Sequence, residues 1–122
     1  METLTAAGVA AVLGQVDLER ETVDVPEWGV RVQVRGMTAA ERDAFEQSTF
    51  EMRGKNVKLN LANARARLVA VCCVDDEGRR LFADGDVAAL GQKSGKALDR
   101  LYAVAQRLSG LRKEDLEELA GT

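Results

Sequence analysis

Between Arg20 and Gly36 the chain alternates with period two, and after Thr38 it changes to a helical repeat. Val23 and Val25 interleave with Thr22 and Asp24, and Val30, Val32 and Val34 interleave with Arg31, Gln33 and Arg35. Pro26-Glu27-Trp28-Gly29 stands between the two runs. Neighbouring side chains of a strand face opposite ways, so this pattern predicts a β-hairpin at about residues 20–35 with one face on a core and one in water.

The helical repeat starts at a recognisable signal. Thr38 and Glu41 have the spacing of a capping box, in which each side chain satisfies the other's backbone amide. It predicts a helix from Thr38 to about Gln47 that buries Phe45. Asn60 is expected to cap a second helix reaching about Val74, with Leu61, Ala64, Leu68, Val71 and Cys72 on one apolar face. Asp75-Asp76-Glu77-Gly78 reads as a turn, followed by Leu81 and Phe82 as apolar anchors. Asp84 is expected to cap a short helix through Leu90 that Gly91 stops, and Ser94 the longest one, to about Ser109, with Leu98, Leu101, Tyr102, Ala105 and Leu108 as its stripe. Thr3 to Leu13 suggests a short N-terminal helix. A last one, from about Arg112 to Leu119, has its basic residues at the positive end of the helix dipole and its acids at the negative end, so it needs a docking partner to persist. Residues 48–59 lack periodicity and read as a mobile connection within one domain spanning residues 1–122. The expected class is therefore α+β: a small N-terminal β-hairpin or sheet followed by a predominantly helical bundle.

Composition narrows the function. The 122 residues are 46% apolar but only 4% aromatic, so the core must be built from Leu, Val and Ala. The net charge of −3 argues against nucleic acid and anionic membranes as partners. It is uneven: residues 1–47 hold nine acids and four bases (net −5), whereas residues 48–74 hold one acid and five bases (net +4). No run approaches the roughly 20 apolar residues that span a bilayer. Met1 to Ala11 lacks the basic start of a secretory signal, and two adjacent cysteines make no disulfide framework, so a cytoplasmic protein is expected.

Histidine is absent, which removes Ser-His and Cys-His nucleophile pairs and the commonest metal ligand. Cys72 and Cys73 read as small buried apolar residues. Gly91-Gln92-Lys93-Ser94-Gly95-Lys96-Ala97 has the wrong glycine spacing for a phosphate loop, and the acids at 75–77 lack the alternation of a calcium loop. A non-enzyme without cofactor or metal is expected, which leaves binding. Trp28 reads as a core residue of the hairpin turn or a binding anchor, and Arg53, Lys55, Lys58, Arg65 and Arg67 as a solvated face or a docking face for an acidic partner. Leu116 and Leu119 are the apolar residues of the last helix, open to a partner or closing the core.

Several stretches resemble one family. Glu21-Thr22-Val23-Asp24-Val25-Pro26-Glu27-Trp28-Gly29 is similar to an opening common in one group of phage tail assembly chaperones. Residues 35–42, 63–70, 74–82, 86–91 and 98–111 resemble that group's later segments, in the same order. The resemblance implies a protein that binds the long, aggregation-prone tape measure protein in the host bacterial cytoplasm. It would keep that client soluble while tail tube subunits polymerise around it, and would be absent from the mature virion. A longer form, made by programmed frameshifting, would recruit the tail tube protein, and self-association is a further expected contact. A structural tail or connector protein retained in the virion is the alternative; an accessory subunit or regulator of an enzyme is a third reading.

Overall fold

The computed structural model of the 122-residue chain describes residues 1–53, 56–59 and 63–111, with 50–53 and 56–59 described as backbone only. Two strands, β1 (Arg20–Val25) and β2 (Val30–Arg35), form the antiparallel hairpin that the period-two pattern predicts. Val23 faces Val32 across the pair, and Val23, Val25, Val32 and Val34 are all buried, while Asp24 and Arg31 pair on the wet face at 3.0 Å. A 3-10 turn over Pro26–Trp28 joins the strands, and Gly29 closes it at φ +68°, a left-handed conformation that a side chain would strain. Trp28 is half-buried and packs against the core.

Helix α2 (Ala39–Thr49) follows, after a short α1 (Val9–Leu13) near the N-terminus. The capping box is present: Thr38 Oγ1 accepts from the Glu41 amide at 3.1 Å, and Glu41 Oε1 accepts from the Thr38 amide at 2.9 Å. Such a cap contributes about 0.5–2 kcal/mol. Phe45 is buried as expected.

The segment 48–59, read from the sequence as a connection without periodicity, contains two short strands. After α2 ends at Thr49, β3 (Phe50–Arg53) and β4 (Asn56–Leu59) pair antiparallel, Phe50 opposite Leu59 and Arg53 opposite Asn56. The pattern was there in miniature. Phe50 and Met52, then Val57 and Leu59, alternate with polar residues on either side of Gly54, in runs too short to stand out.

The central helix also starts and ends inside its expected limits. It is α3 (Ala64–Cys72), entered through Asn63 at φ 53°, and the expected cap Asn60 lies outside the described residues, as does Leu61. Its end is cut short because Cys73 and Val74 are extended and form β5, which pairs antiparallel with β2 (Val34 with Cys73, Gln33 with Val74). The sheet order is thus β1-β2-β5. Ala66, Leu68, Val69, Ala70 and Cys72 are all buried, so α3 is enclosed around most of its circumference rather than along one face.

Leu81 is 47% exposed, not the anchor expected, whereas Phe82 packs on the core. Asp84 is not a cap either. It lies within a 3-10 turn (Asp84–Asp86), pairs with Arg80 at 3.0 Å, and leaves Asp86 to accept from the Ala83 amide at 2.8 Å. A single helical turn, α4 (Val87–Leu90), leads to α5 (Gly95–Leu108), capped by Ser94 Oγ accepting from the Ala97 amide. Gly110, at φ +71°, ends it, and the Leu111 amide reaches back to the Gln106 carbonyl. The predicted stripe holds: Leu98, Leu101 and Ala105 are buried, with Tyr102 and Leu108 half-buried beside them. The expected last helix, from 112 to 119, lies outside the described residues.

The architecture is α+β, a three-stranded antiparallel sheet with five α-helices among the described residues. Helices α3 and α5 pack on each other, and α5 also lies against β1 and β2. The core is where those layers meet. Val25, Val34, Leu68, Val69 and Leu101 are each fully enclosed there, and burial of one such side chain contributes about 1.5–3 kcal/mol.

Candidate interaction surfaces

Two cross-links fix the hairpin on α5. Arg100 donates to both carboxylate oxygens of Glu27, at 2.8 and 3.1 Å, and Arg107 donates to Glu21. The Arg100 bond, then Glu27's own backbone amide, hold the Glu27 carboxyl far down, at about 2. A second fork joins Arg35 to Glu41 at 2.7 and 2.9 Å; it lowers the Glu41 carboxyl and raises Arg35. At the base of the molecule, the Met37 amide donates to Ser109 Oγ at 3.0 Å and the Gly36 amide to the Glu19 carbonyl at 3.1 Å. The sheet, α2 and α5 are thereby fixed to one another.

Against this frame lies a groove of about 390 Å³ between α2, α3 and α4. Ala44, Phe45, Val71 and Val87 supply its apolar lining, and Glu41, Ser48, Arg67, Arg80 and Asp84 the remainder. Arg67 Nη1 donates to the Ser48 carbonyl at 3.2 Å, and its guanidinium sits 6.0 Å from the centre of the Phe45 ring. Desolvation lowers the Arg67 pKa, consistent with a cation held partly out of water.

The basic residues do not all share a surface. Arg65, two residues from Arg67 on α3, points to α5, where it pairs with Asp99 at 2.8 Å and lies 6.0 Å from the Tyr102 ring centre. That places it in a second depression, beside Asn63, Gly91 and Asp99. Arg53 and Lys58 lie on β3 and β4, and Trp28 is on the hairpin turn. Lys55, Leu116 and Leu119 lie outside the described residues.

The N-terminal segment, expected together with the last helix to supply exposed apolar surface, does expose apolar side chains. Residues 1–18 precede the sheet, and the 3-10 turn and α1 within them bury no residue at all. Val9, Val12, Leu13 and Val16 are 41%, 46%, 80% and 87% exposed, and Leu4 is 57% exposed. Val9, Val12 and Leu13 lie on α1, and Val16 follows beyond its end.

Cys72 and Cys73 are buried and free, and burial pushes their thiols up to about 11 and about 12. Among the described residues no group of three or more acids and cysteines could hold a metal ion, and no helix is long and apolar enough to cross a membrane.

The fold and its surfaces are those of a small α+β domain with an apolar groove and an apolar arm. The chain belongs to the phage tail assembly chaperone family, whose sequence pattern matches residues 10–121. A solved structure, that of the bacteriophage HK97 tail assembly chaperone, matches 85% of this chain and 95% of its own length, with a TM-score of 0.59 at 19% identity. That likeness is one of fold. No curated protein sequence matches the chain.

Proposed function

We propose that this chaperone works by binding alone: it holds the tape measure protein of its phage soluble in the host bacterial cytoplasm while tail tube subunits polymerise around it. The observation that carries the reading is the apolar stripe of the N-terminal arm, which is exposed on a domain whose core does not need it. Exposed apolar side chains at helical spacing suit a long client that is itself helical and apolar on one face. Leu116 and Leu119, near the other end of the chain, are proposed to extend this surface. The basic residues of the stretch from 48 to 74 are proposed to orient acidic parts of the client without driving affinity. A longer, frameshifted form is proposed to add the contact with the tail tube protein.

Co-expression with the tape measure protein tests this. Two double variants, Val12→Asp with Leu13→Asp and Leu116→Asp with Leu119→Asp, are each expected to lose soluble client. The thermal stability of the Val12/Leu13 variant is expected to stay within about 1–2 kcal/mol of the parent, as exposed positions allow; a Leu116/Leu119 variant that unfolds shows those two leucines to be core. If both double variants stay folded and still keep the client soluble, the binding surface is elsewhere. Mass spectrometry of purified virions is expected to find no copy of the chain; finding it there in stoichiometric amount supports a retained tail or connector protein instead.

A further inference from the structure

The two edges of the three-stranded sheet end differently. Beyond β5 the chain folds back and closes the ladder: the Leu81 amide donates to the Cys73 carbonyl at 3.0 Å, and the Asp75 amide to the Arg79 carbonyl at 2.8 Å. Beyond β1 no strand is added among the described residues. The register tells which groups are left there. The Gly36 amide donates to the Glu19 carbonyl, so residues 19 and 36 are a hydrogen-bonded pair, and the alternation of an antiparallel ladder turns Glu21, Val23 and Val25 toward β2 in the same way. The amides and carbonyls of Arg20, Thr22 and Asp24 therefore point out of the sheet. Among the described residues only the Asp24 carbonyl of this row has a partner, a long bond of 3.5 Å from Arg100.

Charged side chains commonly protect such an edge. Here they are drawn back from it. Arg20 donates to Gln33 at 3.3 Å and Asp24 pairs with Arg31 at 3.0 Å, both partners on β2, while Glu21 pairs with Arg107 on α5. Thr22, between them, is exposed and uncharged. We infer, resting on the client named above, that this edge adds an extended, low-charge segment of that client as a further strand beside β1. A row of outward main-chain groups recognises another main chain in extended conformation. The flanking charges are already paired, so an incoming charge loses water and gains no partner. A segment rich in Thr, Val and Ile fits best, because those residues favour a strand. Segments of that composition are also the ones through which unfolded chains aggregate, and covering their main chain removes the template for it. The site is contiguous with the proposed helix-binding arm, since the chain enters β1 directly from the segment that follows α1. The two surfaces divide the client between them, one taking helical parts and the other extended parts.

The test reads main-chain amides of the intact chain. Isotope-labelled parent is titrated with overlapping synthetic peptides that tile the tape measure protein, and amide exchange is followed by NMR. In the free chain the Thr22 and Asp24 amides are expected to exchange fast and those of Glu21 and Val23 slowly. At saturation a low-charge peptide is expected to slow the Thr22 and Asp24 amides at least about tenfold. The same peptide with its backbone N-methylated keeps its side chains but loses its donors, and is expected to bind at least about tenfold more weakly. Thr22→Pro removes the outward amide and leaves the bonds to β2, a substitution that an edge strand accommodates. It is expected to lose the peptide, while Thr22→Ala binds like the parent; circular dichroism checks that both fold. If no peptide binds, or if those that bind leave the Thr22 and Asp24 amides unprotected, the inference fails. Binding that N-methylation leaves unchanged also overturns it, and that comparison needs no variant to fold. Protection that appears without peptide as concentration rises means that the edge pairs with a second copy, which overturns it too. Client solubility lost in the arm variants, with none of these effects on the amides, leaves the chaperone reading standing and removes this one.

Discussion

Gly36 and Gly95 accept the same substitution with opposite expected signs. A Cβ on Gly36 would stand 2.4 Å from the Leu108 carbonyl oxygen and 3.0 Å from its carbon. Both are backbone atoms of the last turn of α5, so no side chain can swing away. Relief requires the β2–α2 joint to move off α5 by close to 1 Å, an overpacking that costs about 1–3 kcal/mol. The same movement strains the Gly36–Glu19 and Met37–Ser109 hydrogen bonds, each worth about 0.5–1.5 kcal/mol. Against this stands the smaller entropy of an unfolded chain with Ala in place of Gly, about 0.4–1 kcal/mol. Gly36→Ala is therefore expected to destabilise by about 2–4 kcal/mol, with the hydrogen bonds partly lost. At Gly95, the first residue of α5, a Cβ meets nothing within 4 Å. Gly95→Ala is expected to stabilise by up to about 1 kcal/mol through helix propensity and chain entropy. Urea unfolding of both variants beside the parent, compared at constant m-value, measures the pair. A Gly36→Ala midpoint at or above that of the parent refutes the claimed close approach.

Glu27 makes stability depend on pH in a defined window. Its carboxyl falls from an ordinary 4.5 to about 2 in the folded chain, so its contribution is complete above about 4.5 and is lost as pH falls through about 2. Urea midpoints of the parent and Glu27→Gln are expected to converge as pH drops across that window, and curves that stay parallel through it reject the assignment. The two thiols give the third prediction. With pKa values near 11 and 12 and no exposed surface, Cys72 and Cys73 are expected to resist a thiol reagent in the native protein at pH 8 and to react at once in denaturant; fast reaction of the native protein shows the helix-to-strand junction opening locally.

What the sequence made legible was local. The hairpin could be read because six residues per strand alternate about a Pro/Gly turn, and α2 because Thr38 and Glu41 satisfy each other without help from elsewhere. Helix α5 announced itself through its Ser94 cap and its stripe. β5 could not be read in this way. Cys73 and Val74 continue an apolar helical run, and only the free edge of β2 makes strand the better outcome for them. The groove was invisible for the same reason: Ala44 and Phe45, Val71, and Val87 come from three elements separated by about thirty and about fifteen residues, with no periodicity between them. Arg65 and Arg67 looked like one basic face because they are close in sequence, but a helix turns about 200° over two residues and sends them to different neighbours.

The same contrast separates folding from binding. Among the described residues, every one that closes the core lies between Val23 and Leu111, and the cross-links from Arg35, Arg100 and Arg107 lock that span together. The segment before Arg20 contributes one backbone acceptor, the Glu19 carbonyl, and none of the buried side chains. Changes at Val9, Val12, Leu13 or Val16 therefore act on surface that the fold does not use, and such positions usually tolerate substitution within about 0.5 kcal/mol. Exposed apolar side chains there cost the domain solubility and return little stability, which is what supports the proposed binding role. Were the arm the contact surface, as proposed, this arrangement would let that surface change while the frame stays fixed. A buried face put to the same use would couple every change of partner to a change in folding.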